Sequence, residues 1–114
     1  MTKTNNPRVF VTNYSAHDYS DALRFGELKP ITAGSLNLGN TDRLITAAIE
    51  ETKDSTKDDL LLISGPPIMC ALCLAVWMSR HEQCNLLIFE SKEREYTVRL
   101  VTRDQIELAI KAIG

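Results

Sequence analysis

Residues 60–67 have the sequence LLLISGPP, and this stretch decides the fold. Four consecutive apolar residues between polar segments are typical of a strand that is buried on both faces. Gly65 and the two prolines after it end that strand, and either proline suits the first position of a helix. Residues 68–80 are apolar nearly all round, which predicts a helix that is covered on more than one side. The stretch therefore predicts a buried strand that turns directly into a buried helix.

Strands and helices alternate on the N-terminal side of this unit. A β-branched apolar run predicts a strand. Capping residues mark where a helix begins and glycines where it ends, and a proline is typical of an edge strand. The predicted elements are a strand at 8–12, a short helix that starts at Asp18 or Ser20 and ends at Gly26, a strand at 28–32 that contains Pro30, and a helix capped by Asn40 or Thr41.

The C-terminal side has a different pattern. Residues 85–90 predict another buried strand, and a loop at 91–94 leads to residues 95–101, which alternate polar and apolar as a half-exposed antiparallel strand does. Thr102 and Gln105 have the spacing of a capping box. Four apolar residues at helical spacing then define an amphipathic last helix: Ile106, Ala109, Ile110 and Ile113.

This order of elements predicts the fold class. Strands that alternate with helices form a mainly parallel sheet with helices on its faces. We expect a single three-layer α/β domain at residues 8–114, with about five strands, flanking helices and a C-terminal antiparallel hairpin. Residues 1–7 are polar, end in proline and are expected to be a disordered lead-in.

Composition narrows the class of protein. The chain has 114 residues, of which 44% are apolar and 25% charged, so one globular domain is expected. A net charge of -2 argues against a nucleic-acid partner, which normally requires a basic face. The longest apolar run, residues 68–78, is shorter than the roughly 20 residues that span a bilayer, so no membrane partner is expected. Three cysteines fit a reducing cytoplasm.

Polar side chains follow two strands of the predicted parallel sheet. Because ligands of such folds bind at the carboxyl ends of the strands, a ring with amide and hydroxyl groups there suits a nucleobase or ribose. An ordinary capped loop and a structural turn are the alternatives at these two places. The predicted ligand-binding residues at this edge are Asn13, Tyr14, Ser15, His17, Asp18, Ser64 and Gly65.

Two arginines complete the predicted ligand-binding set. Arg43 lies in the first turn of a predicted helix, where a guanidinium and backbone N–H groups could hold phosphate. Arg99 lies on the alternating strand and could meet an anionic ligand from a neighbouring subunit. The alternatives are a solvated side chain beside an N-cap for Arg43 and a charged edge strand for Arg99.

No catalytic residue, metal site or cofactor is predicted. Cys70 and Cys73 are spaced one turn apart inside the apolar helix, while His81 and Cys84 follow at its far end, too distant to share one zinc ion. Cysteines among apolar neighbours are better interpreted as small core residues. Trp77 on the same helix is expected in the core or at a subunit contact.

Four segments resemble small bacteriophage proteins of about this length: residues 9–15, 25–28, 40–44 and 58–65. The layout is also similar to that of the small phage anti-defence "sponges", compact homo-oligomers that sequester nucleotide immune signals of the Thoeris or CBASS systems. The resemblance covers about the first 100 residues. It implies an oligomeric binding protein with a nucleotide-sized pocket, and no ligand residue is carried over from those proteins.

The leading hypothesis is therefore a non-catalytic phage protein that binds and sequesters an ADP-ribose derivative or a cyclic nucleotide. It would act as a homo-oligomer in the cytoplasm of the infected bacterium, with a nucleotide-type small molecule as its partner. One alternative is a structural or protein-interaction domain without a small-molecule ligand. Another is a small nucleotide-processing enzyme that uses His17 or Asp18 as a general base.

Overall fold

The structure is a computed structural model that describes residues 6–114. Five strands and three α-helices are joined by short loops, with one 3₁₀ helix between the first two strands. In chain order they are β1 (Arg8–Val11), the 3₁₀ helix (Ser20–Phe25), β2 (Glu27–Pro30), α1 (Thr41–Glu51), β3 (Leu60–Leu62), α2 (Pro67–Arg80), β4 (Gln83–Glu90), β5 (Glu95–Thr102) and α3 (Arg103–Ile113).

The five strands form one sheet in the order β2-β1-β3-β4-β5. The pairs β1–β2, β1–β3 and β3–β4 are parallel, and β5 runs antiparallel to β4 as an edge strand. The chain therefore moves from β1 to one side, then returns and continues on the other side. This reversal between β1 and β3 is the switch point of a doubly wound sheet.

The sheet separates two clusters of buried side chains. On one face α1 and α2 cover a cluster that includes Phe10, Leu61 and Trp77, with the Phe10 and Trp77 rings 5.4 Å apart in an edge-to-face contact. On the other face the 3₁₀ helix packs through Tyr19 and Ala22 against neighbours that include the hairpin residue Tyr96. The hairpin thus reaches over this face of the sheet and helps to cover it.

The predicted fold class is confirmed: an α/β domain with a five-strand, mostly parallel sheet, an antiparallel β4–β5 pair and flanking helices. The buried strand at LLLI, the helix that begins at Pro67, the Asn40 cap and the capping box at Thr102 all form. The predicted lead-in lies mostly outside the described residues, since the structure describes only its last two positions.

Three boundaries differ from the prediction. β2 runs from Glu27 to Pro30, and just beyond it the N–H of Ile31 still donates to the carbonyl of Val11. β4 begins two residues earlier than expected, at Gln83, because Thr102 and Val101 of the long β5 pair with its first residues. The short helix near Asp18 is a 3₁₀ helix with Tyr19 at its N-cap, and Gly26 ends it as predicted.

The last helix forms, but α3 buries none of its side chains against residues 6–114. Its first residue, Arg103, donates hydrogen bonds to the backbone carbonyls of Met78 and His81 at the end of α2. In the described part of the chain, no helix is both long and apolar enough to cross a membrane.

Candidate functional site

The candidate site lies where β1 and β3 end side by side. Their parallel pairing brings Thr12 and Asn13 next to Ser64 and Gly65. The sequence predicted this meeting for Asn13, Ser64 and Gly65. In a doubly wound sheet, the crevice at this switch point is where ligands bind. The topology therefore points to this edge before any side chain is considered.

Thr12 holds the two strand ends together. Its buried hydroxyl accepts a hydrogen bond from the N–H of Ser64 (2.8 Å) and donates one to the carbonyl of the same residue (2.5 Å). The thiol of Cys70, in the first turns of α2, lies 3.4 Å from the same hydroxyl. The start of α2 is thereby fixed to the end of β1.

Gly65 permits the close approach of the two loops. Its φ of +94° belongs to a region that glycine adopts readily and other residues do not. A Cβ at this position would lie 2.6 Å from the Cβ of Asn13. The amide of Asn13 donates to the carbonyl of Gly34 at 3.1 Å, and its oxygen accepts from the hydroxyl of Thr32 at 2.9 Å. Asn13 is thus buried and has a structural role in holding the loop.

An aromatic pair stands beside these strand ends. The rings of Tyr14 and Tyr19 stack with their centroids 4.7 Å apart. The hydroxyl of Tyr19 lies 2.8 Å from the hydroxyl of Ser64 and 3.1 Å from the N–H of Ser15, which donates to it. Because Tyr19 is buried and Tyr14 is 41% exposed, Tyr14 has an exposed ring backed by a fixed one.

A cavity of about 370 Å³ opens at this edge, on the face of the sheet that the hairpin covers. Its volume lies within the roughly 300–1,000 Å³ of small-molecule sites. Its wall combines polar groups with apolar and aromatic side chains. The lining residues are His17, Asp18, Ile63, Ser64, Gly65, Phe89 and Tyr96.

The two titratable residues of the first loop differ in their environment. Asp18 accepts a hydrogen bond from the N–H of Ser20 (2.9 Å), and the hydrogen bonds of Ser20 hold the pKa of Asp18 below its usual value. Asp18 is therefore an ionised acceptor that also supports the start of the 3₁₀ helix. The His17 ring meets the Tyr19 ring edge-on, with centroids 6.1 Å apart. No hydrogen bond joins His17 to Ser64 among the described residues, and the hydroxyl of Ser64 faces Tyr19 instead.

The structure brings seven of the nine predicted residues to this edge and places two elsewhere. Arg43 is exposed in the first turn of α1, where its N–H bonds to the side chain of Asn40. Arg99 lies on the face of β5 opposite to Tyr96 and pairs with Glu90 at 2.8 Å. Neither arginine lines the cavity.

Five residues of this region were not predicted as part of the site: Thr12, Tyr19, Ile63, Phe89 and Tyr96. A signal existed for Tyr19, a second tyrosine five residues after Tyr14 in the same polar segment. Phe89 and Tyr96 are directly opposite in the β4–β5 register, and their rings lie 5.1 Å apart. Their place in the cavity depends on how far the hairpin bends over the sheet. No local sequence pattern predicts that bend.

Two of the three cysteines, Cys73 and Cys84, are buried as the sequence predicted for core residues. Burial raises the pKa values of the Cys73 and Cys84 thiols to about 12, so both are inert as nucleophiles near neutral pH. Cys70 is partly exposed beside Thr12. Within residues 6–114, no group of three His, Cys, Asp or Glu side chains is arranged to hold a metal ion.

The chain was compared with known proteins in three ways. A search of curated proteins and a search of solved structures each found no match. A family model described as phage Pam3 gp32-like protein matches residues 5–102, which include every element of the sheet and both helices that cover it, and end just before α3. Since the match spans most of the chain, this protein belongs to the phage Pam3 gp32-like family of bacteriophage proteins.

Proposed function

We propose that this phage protein binds a nucleotide-derived immune signal at the β1–β3 edge and sequesters it without converting it. The ligand class is an ADP-ribose derivative or a cyclic nucleotide, held in the cytoplasm of the infected bacterium. The observation that carries the proposal is the cavity at the topological switch point, lined by both segments from which the sequence predicted a nucleotide site.

The cavity walls fit the parts of such a ligand. Phe89, Tyr96 and Ile63 supply apolar and aromatic surface for a base. The ionised carboxylate of Asp18 suits ribose hydroxyls, which donate to it, and would repel a phosphate. Phosphate is therefore expected on the opposite side, towards Gly65 and the first turn of α2, where Ile68 and Met69 have N–H groups without intrahelical acceptors.

The same arrangement favours binding over catalysis. A serine nucleophile requires a base within hydrogen-bond reach, and the partner of the Ser64 hydroxyl is the phenol of Tyr19. Asp18 is engaged with Ser20, which holds its pKa low and makes it a poor proton acceptor near neutral pH. These contacts support retention of an unchanged ligand.

A panel of thermal-shift measurements tests the proposal, with ADP-ribose, its cyclic forms and cyclic dinucleotides as probes. A ligand at 100 times its Kd adds about 2.7 kcal/mol to the free energy of unfolding, a shift of roughly 10 °C or more for a chain of this size. The variants His17→Ala, in the cavity wall, and Tyr14→Ala, which removes the exposed ring stacked on Tyr19 beside the cavity, should reduce the shift. Leu23→Ala is the matched control, since Leu23 is exposed on the 3₁₀ helix and does not line the cavity.

Two results would contradict the proposal. One is a melting temperature that no nucleotide of the panel raises. The other is a ligand-induced shift that Tyr14→Ala, His17→Ala and Leu23→Ala all leave at the wild-type size.

A second candidate function is protein interaction without a small-molecule ligand. The observation that favours it is the set of exposed apolar side chains on α3, which would not be expected on an isolated small domain. Under this alternative, the nucleotide panel produces no thermal shift, while the protein still associates through α3.

A further inference from the structure

The structure leaves two apolar surfaces without a partner, and the first is on α3. Ile106, Leu108, Ile110 and Ile113 are 45%, 66%, 62% and 88% exposed. Against the rest of residues 6–114 this helix buries no side chain. A helix of 11 residues is marginal in water when nothing covers its apolar side. We therefore expect α3 to be covered by another surface in solution.

The second surface is a groove on the outer side of the helix layer. A cavity of about 330 Å³ lies between α1 and α2, lined by apolar side chains along its length and by Ser79 and Arg80 at one end. The apolar lining residues are Ile45, Ile49, Leu72, Ala75 and Val76. This groove is apolar and open to solvent, so it can receive apolar side chains from a helix that lies along it.

The pattern of α3 matches what such a groove binds. An amphipathic helix enters a hydrophobic groove through residues spaced i, i+3, i+4 and i+7. Ile106, Ala109, Ile110 and Ile113 have this spacing, and all four are exposed. This protein thus has both an exposed amphipathic helix and an apolar groove of the kind that binds such a helix.

Charges at the two ends fix an orientation. α1 and α2 both follow parallel strands and run in the same direction, so Arg80 of α2 lies at the C-terminal end of the groove. Asp42 lies one turn before Ile45, at the other end. The first half of α3 carries Asp104 and Glu107, and Lys111 is in its last turn. An α3 helix antiparallel to α1 and α2 places opposite charges together at both ends.

The connectivity indicates which copy supplies the helix. β5 lies at the edge of the sheet beyond β4, against which α2 packs, so the groove is on the far side of α2. Thr102 ends β5 and the next residue begins α3, so there is no linker that would let the helix cross over α2. The hydrogen bonds of Arg103 to Met78 and His81 also fix the start of the helix.

We propose that α3 of one copy docks in the α1–α2 groove of a second copy, with a two-fold exchange that makes a homodimer. The exchange is symmetric, since each copy contributes one helix and one groove to the interface. The cavity beside Tyr96 is on the other face of the sheet, so this dimer does not depend on the proposed ligand.

Sedimentation equilibrium of the full chain at ~100 µM tests the proposal, since a micromolar Kd would give mostly dimer at that concentration. Ile110→Asp alters the helix and Ala75→Arg alters the groove, and both positions are exposed in the single chain. Each variant should weaken dimerisation at least tenfold with an unchanged melting temperature in dilute solution. Lys92→Asp, in the exposed hairpin loop, is the matched control and should dimerise as the wild type does.

Mixing the two variants sharpens the test. Ile110→Asp retains an intact groove and Ala75→Arg retains an intact helix, so the mixture should associate more strongly than either variant alone. A wild-type chain that is monomeric at ~100 µM would overturn the proposal. So would a dimer that Ala75→Arg leaves intact, because the helix would then be covered by something other than the groove.

Discussion

α2 and α3 are both rich in apolar residues and both follow a strand, but only α2 buries side chains in its own chain. α2 connects two neighbouring parallel strands, so it must lie across the sheet, and it buries Met69, Cys73 and Trp77 at successive turns. α3 follows the edge strand β5 and lies against no further strand within the described residues. Position in the topology, more than apolar content, therefore decides whether a helix is buried by its own domain.

The largest effect that separates the two helices is expected from truncation of one large side chain on each. Trp77→Ala removes a fully buried ring that packs on Phe10 and should lower the free energy of unfolding by about 3–5 kcal/mol. Ile110→Ala, at protein concentrations too low for association, should change it by less than about 0.5 kcal/mol. Chemical denaturation of both variants measures the difference. Equal losses would show that α3 is packed in the single chain.

The next largest effect is expected from the turn that starts α2. Gly65→Ala forces a residue with a Cβ into a φ of +94° and against Asn13, and should cost about 1–3 kcal/mol. Gly34→Ala is the matched control, because its φ of +71° carries similar strain while its Cβ would meet open space. A loss of stability no greater for Gly65→Ala than for Gly34→Ala would contradict the close packing of Gly65 on Asn13.

Removal of the cap of α3 should have a smaller and local effect. The hydroxyl of Thr102 accepts from the N–H of Gln105 at 3.1 Å, and the side chain of Gln105 accepts from the N–H of Thr102 at 2.8 Å. Thr102→Ala should destabilise α3 by about 1 kcal/mol. Hydrogen exchange should become faster in the amides of α3 alone, with protection of α2 unchanged. Faster exchange in both helices would mean that α3 is coupled to the core.

The smallest effect is expected from the ion pairs at the far edge of the sheet. Arg8 and Lys29 donate to Asp54, which holds the pKa of that carboxyl near 2, below the ordinary 3.8. Because the folded pKa is lowered, the contribution to stability is present above about pH 4 and is lost as the pH falls towards 2. Asp54 is more than half exposed, so the contribution should be below about 1 kcal/mol. Asp54→Asn and the wild type should differ near pH 6 and converge below pH 2; a constant difference would contradict the pairing.

Much of this architecture could be predicted because its signals are local. The buried strand LLLI, the prolines at the start of α2, the Asn40 cap and the Thr102 capping box each follow from a few neighbouring residues. The meeting of Asn13 with Ser64 and Gly65 followed from a general property of parallel sheets. The strand order and the bend of the hairpin depend on contacts between distant residues, so Phe89 and Tyr96 were missed.

The positions of Arg43 and Arg99 away from the cavity could not be predicted for the same reason. The sequence marks Arg43 and Arg99 as cations near a helix start and on a strand, but it does not specify which face of β5 packs towards the cavity. In the structure Arg99 alternates with Tyr96 and Val98 and points to the face opposite to them. The exposure of α3 was also not predictable, since an amphipathic pattern is equally suited to a partner in the same chain and to one in another.

We propose that the β1–β3 edge binds a nucleotide and returns it unchanged, and mass spectrometry of the released ligand is the most direct test. The protein is incubated with each nucleotide that raises its melting temperature, freed of unbound ligand and then denatured by heat. We expect a molecule with the mass of the added nucleotide to be released, and less of it to be retained by His17→Ala. Release of a molecule with a changed mass, or no retained nucleotide at all, would contradict the claim.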